Sequence, residues 1–445
     1  MLSKTDILIL GAGPAGASMA LMLLKCAPQL KVRIVDKSNA QGEKIGETLP
    51  PKIQELMQPL GIWESFQQQN HLPAYATSAV WGDAMRHEND FLLQTSAQGW
   101  RIDKSRFNQF LIQETQERGA RIQLETTARF VGKSSESFHF QLTGKSGNTE
   151  DLSAAFVVDA TGRAATFATQ MGAHKVRFDN LTGIWRFYQL PKGHAGMETL
   201  VEAFENGWWY SASLPDDKLV VACMTDSDLV SEDHFQQNGW QHLLQSAPQT
   251  QQRVALTEGT GAVQFWPAAS QYLDTLCGEG WLAVGDAAGT FDPLSAQGNF
   301  KAMKSGIFGA YAALDYLNGK AEALEKYKQI MRREYEAYLE LRAQYYQKEQ
   351  RWPQSLFWQR RYDWLTLHPF SMLVSTNHTA PKNTQSKYLL SGKEEAFILD
   401  MCSRPTCAKE VVAAFRNSPW AHKKDRNIIL GLQFLLEKQA LQALS

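Results

Sequence analysis

The sequence predicts an α/β protein in which a parallel-sheet domain is interleaved with an antiparallel-sheet domain and followed by a small helical module. The parallel sheet is indicated by the opening run ILILGAGPAG (7–16), where apolar residues precede three glycines and a helical pattern. The antiparallel sheet is indicated by aromatic, alternating segments within 176–266, and the helical module by three short helical patterns within 393–445.

The opening glycines follow the spacing of a dinucleotide-binding turn. Gly11 permits the tight turn, Gly13 lets the backbone approach a pyrophosphate, and Gly16 lets the helix pack closely on the strand. Pro14 and Ala15 fall in the first helical turn, whose free N–H groups and positive partial charge attract phosphate. We therefore expect a dinucleotide near the start of the chain.

The second predicted strand, KVRIVD (31–36), ends in an acid. Asp36 lies where a carboxylate meets a ribose 2′-hydroxyl, and Lys37 directly after it is included in the predicted site. The uncharged run 7–24 also has the length of a membrane span or signal segment, but its glycines and proline at fingerprint spacing argue against both. Since the first strand begins close to Met1, cleavage of a signal peptide would destroy the fold, and we expect a cytoplasmic protein.

Composition bounds the remaining possibilities. A chain of 445 residues predicts two or three domains, and a formal net charge of −1 gives no general reason to expect nucleic acid or an anionic membrane as partner. The five cysteines are scattered without CxxC spacing. This pattern suits a reducing compartment and indicates neither a metal site nor a disulfide framework.

The loop GEKIGETLPP (42–51) follows the second strand. Its two prolines stiffen the exit from the loop and hold Glu47 and Thr48 beside the dinucleotide site. Glu47 either serves the site or only caps the loop, and the residues leave both interpretations open.

Two later strands end in small-residue turns that bring backbone N–H groups toward a ligand. The strand FVVDA (156–160) leads into a turn containing Asp159 and Gly162. The strand WLAVG (281–285) ends at Gly285 and Asp286, and Asp286 can accept hydrogen bonds from a sugar-like hydroxyl chain.

A helix is predicted to start after this second turn. The chain passes through Pro293, and the helix begins near Gln297, Gly298 and Asn299. Its positive end suits the negative charge of a reduced flavin, which is easier to form when that charge is stabilised in place.

The last third of the chain is less informative. The charged helix 324–351 is interpreted as a solvated face, and 351–392 as a linker with a short helical segment and a polar stretch, 375–391. The module 393–445 resembles a winged helix, but the basic patch at 422–426 is too small to indicate DNA binding, and a partner surface is preferred.

Together the motifs GxGxxG, GETLPP (46–51), DATG (159–162) and GDAAGTFDPLSAQG (285–298) resemble the FAD-dependent monooxygenases of the para-hydroxybenzoate hydroxylase type, over about residues 5–350. The GETLPP and FDPLSAQG forms resemble the branch that holds tryptophan halogenases, geranylgeranyl-type reductases and flavoproteins that hydroxylate a peptidyl tryptophan during quinone-cofactor (cysteine tryptophylquinone) maturation. The segment RWPQSLFWQRR (351–361) and the added C-terminal helices are most similar to the last group.

The resemblance implies a Rossmann-like FAD-binding domain and a role for individual residues. Gly11, Gly13, Gly16 and Asp36 are implied to hold the ADP half, and Asp286 the ribityl chain and pyrophosphate region. Gln297 and Gly298 are implied to meet the flavin ring edge, and Arg106 to lie near the phosphates, with Lys104 as the alternative. The remaining predicted cofactor contacts are Pro14, Ala15, Lys37, Glu47, Thr48, Asp159, Gly162, Gly285, Pro293 and Asn299.

The implied domain division is discontinuous. Residues 1–70, 101–175 and 276–350 form the FAD-binding domain, and 71–100 with 176–275 the substrate domain. Residues 351–392 form a linker with a helical segment, and 393–445 the C-terminal helical module.

The predicted function is an FAD-dependent monooxygenase in which reduced FAD and O2 form a C4a-hydroperoxide that hydroxylates an electron-rich aromatic ring. The acceptor is a tryptophan of a partner polypeptide or an aromatic small molecule, and the electron donor is NAD(P)H or another reductant. Glu47 is the candidate for substrate orientation or proton transfer. No nucleic acid and no membrane span are expected, and the oligomeric state is left open.

Two alternatives stay open. One is a halogenase or reductase acting on a small molecule, but GWWYSASLP (207–215) departs from the halogenase motif WxWxIP. Moreover, no lysine occurs between Lys52 and Lys104, where the essential halogenase lysine is expected. The other alternative is a flavin-bearing maturation or binding protein without turnover.

Overall fold

The computed structural model describes residues 2–42, 45, 47–90, 98–193, 196, 198–231, 237–255, 257–362, 367, 371–376, 391–423, 425–437 and 440–444. The strands are β1 Ser3–Leu10, β2 Val32–Val35, β3 Glu47–Leu49, β4 Leu72–Ala74, β5 Ala76–Val80, β6 His87–Asp90, β7 Gly99–Ile102, β8 Arg121–Gln123, β9 Thr126–Lys133, β10 Phe138–Gly144, β11 Thr149–Asp159, β12 Lys175–Arg177, β13 Leu181–Gln189, β14 Glu198–Phe204, β15 Gly207–Leu214, β16 Lys218–Asp226, β17 Glu258–Pro267, β18 Gln271–Leu273, β19 Cys277–Gly278, β20 Trp281–Ala283, β21 Gly289–Thr290, β22 Met372–Ser375, β23 Thr406–Cys407 and β24 Leu441–Leu444. The α-helices are α1 Pro14–Cys26, α2 Ile53–Leu60, α3 Trp63–Gln67, α4 Lys104–Glu117, α5 Thr166–Gln170, α6 Gln237–Leu244, α7 Pro248–Val254, α8 Gly298–Leu317, α9 Ala323–Lys348, α10 Leu356–Tyr362, α11 Gly392–Met401, α12 Ala408–Arg416 and α13 Asp425–Glu437.

The first sheet has a parallel centre, as the opening run predicts. Its order is β19-β20-β11-β1-β2-β8, and β10 and β9 extend it from β11. Strand β1 is parallel to both β11 and β2, and Ile7, Leu8 and Ile9 are fully buried, which is why the strand reads as a continuous apolar run. The fold class is thus α/β of the Rossmann type, as predicted.

Helices α1 and α8 pack against each other on this sheet. Gly306 permits their close approach, because a Cβ there would lie 2.3 Å from the carbonyl oxygen of Ala15. The contact sets the N-termini of the two helices on the same side of the sheet.

The second sheet has the order β17-β13-β16-β15-β14-β5-β6. It is antiparallel as predicted except for one parallel pair, β14 with β5. This pair arises because β5 comes from the early segment 71–100 and joins a sheet built mainly by 176–275. The predicted domain boundaries remain a prediction.

The predicted loop around Glu47 and Thr48 is in part a strand. Residues 47–49 form β3, which pairs with β7 and places Glu47 opposite Ile102. Glu47 and Thr48 are thus held by backbone pairing of β3 with β7, whereas the sequence analysis attributed their position to the two prolines. The alternating patch DFLLQT (90–95), which is consistent with a strand, lies outside the described residues apart from Asp90 in β6.

Residues 351–392 include the short helical segment that the sequence predicts, which is α10 in the structure, and the assignment of this stretch as a linker stays a prediction. Helix α10 inserts Phe357 and Trp358 into the core of the second sheet, and the Trp358 indole N–H donates to the Phe204 carbonyl at 3.0 Å. The polar stretch after residue 376 lies outside the described residues until Ser391.

The C-terminal module combines α11, α12 and α13 with the small sheet β23-β22-β24, which is a winged-helix-like arrangement. Strand β22 comes from the predicted linker and pairs with β24.

Helix α9 is more than the solvated face that its charge suggested. It buries Tyr327, Tyr335 and Tyr338 in the core of the first sheet and Tyr346 in the core of the second. Among the described residues no helix is both long and apolar enough to cross a membrane.

We predict that Trp358→Ala lowers the free energy of unfolding by about 3–5 kcal/mol, because it leaves a cavity in a packed core. Leu356, on the same helix, is 48% exposed, and Leu356→Ala is the matched control with an expected loss under about 1 kcal/mol. Urea unfolding followed by circular dichroism measures both. Equal losses in the two variants would mean that α10 is not part of the core.

Candidate active site

A cavity of about 320 Å³ lies where the first and second sheets meet. Both sheets and the turns between them supply its walls. The predicted residues among its lining are Gly13, Pro14, Ala15, Glu47, Thr48, Gly162, Asp286, Pro293, Gly298 and Asn299.

Two helix N-termini face this cavity. Helix α1 begins at Pro14 and α8 at Gly298, and no side-chain hydrogen bond caps either helix. Uncapped N-termini present free backbone N–H groups and positive partial charge. The two helix N-termini therefore favour negative charge at two places on the cavity wall.

The three glycines of the first turn have different surroundings. A Cβ at Gly11 would lie 2.2 Å from the Ala160 carbonyl oxygen, and one at Gly16 would lie 2.1 Å from the Gly11 carbonyl oxygen. These two glycines serve the packing of the protein itself. A Cβ at Gly13 would meet no protein atom within 4 Å, so this position is left open on the cavity side, which fits the close approach of a pyrophosphate.

Asp36 directly follows β2, and its carboxylate organises the turn. Oδ2 accepts from the Ala12 N–H at 2.7 Å, and Oδ1 accepts from the backbone N–H and hydroxyl of Ser38. The structure thus gives Asp36 a role in holding the fingerprint turn, and its contact with a ribose stays a prediction.

Glu47 joins two elements at the cavity wall. Its carboxylate forms an ion pair with Lys104 at the start of α4, and it accepts a hydrogen bond from the Asn299 amide at 2.7 Å. A Cβ at Gly298 would lie 3.6 Å from Glu47 Oε2. The carboxylate therefore lies directly at the N-terminus of α8.

The structure favours Lys104 over Arg106 as the basic residue of the cavity. Lys104 lines the cavity, whereas the Arg106 guanidinium pairs with Asp216 at 2.8 Å and is absent from the described lining residues. Two residues that are two positions apart on a helix differ by about 200° of rotation about its axis. Lys104 and Arg106 therefore lie on opposite faces of α4.

Asp286 pairs with a lysine that the sequence analysis did not select. Lys301 Nζ lies 3.0 Å from Asp286 Oδ1 and also donates to the Gly289 carbonyl. Burial tends to raise the pKa of Asp286, but the charges of Lys301 and Arg163 hold that pKa below its ordinary value. Asp286 is thus a carboxylate and can accept hydrogen bonds from hydroxyl groups in the cavity.

Other residues that were predicted to contact the cofactor are not among the described lining residues of the cavity. Asp159 is fully buried and accepts from Thr161 and the Ala168 N–H, so it fixes the DATG turn. A Cβ at Gly285 would lie 2.6 Å from Ala15 Cβ, so this glycine serves close packing. Gln297 is the N-cap residue of α8, and Lys37 is an exposed residue after β2. Direct cofactor contact by these residues stays a prediction.

The second sheet supplies an aromatic and apolar wall. Tyr210, Met224 and Trp266 line the cavity from β15, β16 and β17, together with Phe291 from the turn before α8. The Trp266 ring packs directly over Gly183 of the neighbouring strand β13, where a Cβ would lie 1.9 Å from the ring. Burial raises the pKa of Tyr210 to about 12, although a hydrogen bond with Thr48 opposes the shift. The phenol therefore stays protonated at neutral pH.

The loop before α8 is anchored by a buried polar cluster. Asp292 lines the cavity, caps the short turn through the Leu294 N–H at 2.9 Å, and accepts from the Tyr346 hydroxyl at 2.8 Å and from Arg342 Nε at 3.2 Å. Arg342 also pairs with Asp179 at 2.9 Å. The cluster fastens this wall of the cavity to α9.

Sequence reasoning missed several lining residues. Arg163 directly follows the DATG motif, Asp292 lies inside FDPLSAQG, and Tyr210 inside GWWYSASLP, so each stood next to a motif that had been noticed. Met224 and Trp266 carried no signal of their own, because many apolar residues alternate in those strands.

Comparisons with known proteins agree with this geometry. A family model described as an FAD binding domain matches residues 4–340. The putative FAD-dependent oxidoreductase LodB of Marinomonas mediterranea is 29% identical over 372 residues, which cover 83% of this chain and 98% of that protein.

Two solved structures share the fold. The flavin-dependent halogenase CmlS superposes with a TM-score of 0.73 at 18% identity, covering 100% of this chain and 96% of CmlS. The peptidyl tryptophan dihydroxylase QhpG, described as essential for tryptophylquinone cofactor biogenesis, gives a TM-score of 0.67 at 20% identity, covering 98% of this chain and 99% of QhpG.

We predict that Gly13→Ala and Gly11→Ala separate ligand binding from folding. Gly13→Ala adds a methyl group to open space, so the apoprotein keeps its stability while affinity for added FAD falls at least about tenfold, or about 1.4 kcal/mol. Gly11→Ala strains a residue at φ +115 and forces a clash, so the fold loses at least about 1–3 kcal/mol. FAD titration of apoprotein and thermal unfolding measure the two effects. A Gly13→Ala variant with wild-type FAD affinity would contradict the assignment.

Proposed function

Because the chain belongs to the family of proteins that carry this FAD binding domain, we propose that it is a monooxygenase that hydroxylates an electron-rich aromatic ring. The acceptor in this proposal is a tryptophan side chain of a partner polypeptide. Relatives in the family are FAD-dependent enzymes, and this chain is an FAD-dependent enzyme of the same kind.

The main support for the proposal is that the two sides of the cavity differ in chemistry, one being polar and the other aromatic. One side presents backbone N–H groups, glycines and the Asp286 carboxylate, which suit the phosphates and hydroxyl groups of FAD. The other side presents Tyr210, Trp266 and Phe291, which suit a flat aromatic acceptor. A cofactor and an aromatic ring thus have adjoining places in one enclosure.

The residues present fit FAD. The open position at Gly13 and the N-terminus of α1 suit the pyrophosphate, Asp286 suits the ribityl hydroxyls, and the N-terminus of α8 at Gly298 suits the flavin edge. Reduced FAD, when bound, activates O2 so that one oxygen atom can be transferred to the acceptor.

The chain's own residues orient the acceptor and exclude water. Met224, Trp266 and Phe291 form apolar surface that keeps the reacting atoms dry. The protonated Tyr210 hydroxyl can donate a hydrogen bond, and Glu47 can accept one, so the two side chains can fix the ring between them. Glu47 is also the carboxylate through which a proton can leave the acceptor.

Hydroxylation and halogenation remain the two candidate reactions. QhpG acts on a peptidyl tryptophan, which favours hydroxylation, whereas the likeness to the halogenase CmlS favours halogenation equally. Among the described lining residues the lysine is Lys104, and it is paired with Glu47 rather than directed alone at the aromatic wall. This pairing is our reason to place hydroxylation first.

Location in the cytoplasm is also part of the proposal. Within the described residues the five cysteines form no disulfide bond, and Cys223 and Cys402 are buried. Free thiols suit a reducing compartment.

The proposed reaction is tested with protein loaded with FAD, NADH or NADPH as reductant, ¹⁸O2, and a tryptophan-containing peptide, in buffers with and without bromide. We expect peptide-dependent oxidation of the reductant and a mass gain of labelled oxygen on the peptide in both buffers. A brominated product without labelled oxygen would establish the halogenase alternative. Flavin reoxidation without change in any acceptor would favour the reductase or non-turnover alternatives.

We predict that Glu47→Gln lowers product formation about tenfold to hundredfold while the protein still folds and loads FAD, because the amide cannot take up a proton. The matched control is Glu279→Gln, which removes an exposed carboxylate that pairs with Lys133 outside the cavity. Product yield and flavin content are measured for both variants. Full product formation by Glu47→Gln with normal flavin content would remove Glu47 from the mechanism.

A further inference from the structure

Lys301 occupies a position that a lysine ordinarily avoids. It is the fourth residue of α8, and it is buried. Burial among apolar groups disfavours an ammonium, and the positive end of a helix repels one. A side chain kept against both costs needs partners that offset them, and such exceptions to the local rules are expected at functional sites.

The partners of Lys301 lie in the segment that leads into α8. Its ammonium contacts Asp286 Oδ1 at 3.0 Å, donates to the Gly289 carbonyl, and lies 4.9 Å from the centre of the Phe291 ring. Asp286 and Phe291 line the cavity, whereas Lys301 is not among the described lining residues. Lys301 therefore acts on a ligand in the cavity through these neighbours.

The backbone of this segment has fixed points besides Lys301. The Gly285 N–H donates to Ser305 Oγ at 2.7 Å, and Ser305 lies one turn after Lys301 on α8. Strand β21 pairs with β18. The segment thus keeps its path when the lysine is replaced, and what Lys301 adds is a positive charge beside the Asp286 carboxylate.

Two further cations act on Asp286, and both are engaged elsewhere. The charges of Arg163 and Lys104 lower the pKa of Asp286, as that of Lys301 does. The Arg163 guanidinium donates to a backbone carbonyl at 2.7 Å, and Lys104 pairs with Glu47. Within the described part of the chain, Lys301 is thus the cation in direct contact with the Asp286 carboxylate.

A second acid near Lys301 has its own partner. Glu334 of α9 attracts Lys301 through its charge but pairs with Lys304 of α8. Lys301 and Glu334 both line a small cavity of about 20 Å³. The Lys301 ammonium is therefore paired with Asp286 rather than with Glu334.

We propose that Lys301 is a positioning residue for FAD, which keeps Asp286 in its charged form so that the carboxylate accepts hydrogen bonds from hydroxyl groups of the cofactor. This inference rests on the proposed function, in which Asp286 meets the ribityl hydroxyls. A protonated carboxyl group carries a hydrogen of its own and has less capacity to accept, so FAD affinity depends on the charged form.

The expected pH dependence follows from the pKa of Asp286. Burial raises this pKa, and the charge of Lys301 is the largest influence that lowers it. Without Lys301 the pKa rises, and the carboxylate is lost as the pH falls through the raised value. We therefore expect Lys301→Met to bind FAD about tenfold more weakly at about pH 5.5 than at about pH 8, whereas wild-type affinity changes less than about twofold.

The test titrates the full-chain apoprotein with FAD and follows flavin fluorescence between about pH 5.5 and pH 8, without reductant or acceptor. Methionine is unbranched, as lysine is, and can keep the contact with the Phe291 ring. The matched control is Lys304→Met, which removes a partly exposed lysine of the same helix and is expected to keep the wild-type profile. A flat profile for Lys301→Met, or a loss of affinity that grows as the pH rises, overturns the positioning role.

A double variant separates the charge of Asp286 from packing. Asparagine cannot titrate, so we expect Asp286→Asn to lower FAD affinity at every pH. Adding Lys301→Met to this variant is expected to introduce no pH dependence. A double variant that still loses affinity at low pH would assign the titration to another group and would overturn the inference.

A measurement on wild-type protein does not depend on the folding of any variant. Calorimetric titration with FAD at about pH 6.5, in two buffers of different ionisation enthalpy, reports whether protons are released on binding. Because Asp286 is already charged in the proposal, we expect the same heat in both buffers. Release of about one proton would mean that the carboxyl group is protonated before FAD binds, which overturns the role of Lys301.

Failure of the proposed reaction is distinguishable from failure of this inference, since none of these titrations involves turnover. The expected FAD profiles without labelled-oxygen transfer to any acceptor would overturn monooxygenation and support the role of Lys301. Wild-type FAD affinity in Asp286→Asn would overturn both the placement of the ribityl hydroxyls and the role of Lys301.

Discussion

The close crossing of α1 and α8 is the contact on which the rest of the site depends. The backbones meet at Gly306 and Ala15, and Gly285 adds a second close approach to Ala15 from the turn before α8. Because these positions lack side chains or carry only a methyl group, two helix N-termini reach one cavity. Their positive ends face the same cavity, and the aromatic wall from the second sheet forms another side of that cavity.

Local chemistry made part of this site predictable. Gly13 to Ala15 and Gly298 to Asn299 were found because a glycine turn and a helix start leave a signal within a few neighbouring residues. The pairing of Glu47 with Lys104 was not, because it joins segments 57 residues apart through the pairing of β3 with β7. The choice between Lys104 and Arg106 was also left open, because only the packing of α4 decides which of its faces meets the cavity.

The burial of individual side chains was the property that was hardest to predict from the sequence. The segment with Phe357 and Trp358 contains arginines and follows a Trp-Pro break, so it was interpreted as a linker. In the structure Arg361 pairs with the buried Asp226 at 2.8 Å, and its charge is thereby compatible with the core. Arg342 and Asp292 form another buried ion pair, at the wall of the cavity. Breaking a buried pair by removing one partner typically costs about 3–5 kcal/mol, so these charged residues are as necessary to the fold as the aromatic ones.

Helix α9 contributes aromatic side chains to both hydrophobic cores, with Tyr335 in one and Tyr346 in the other. Neither sheet can open without exposing part of this helix, so the free energies of local opening in the two halves are linked. The two sheets then melt as a single cooperative unit. We therefore expect a ligand that binds only at the glycine turn to raise the melting temperature of both halves, and the unfolding of the two sheets to be one calorimetric transition.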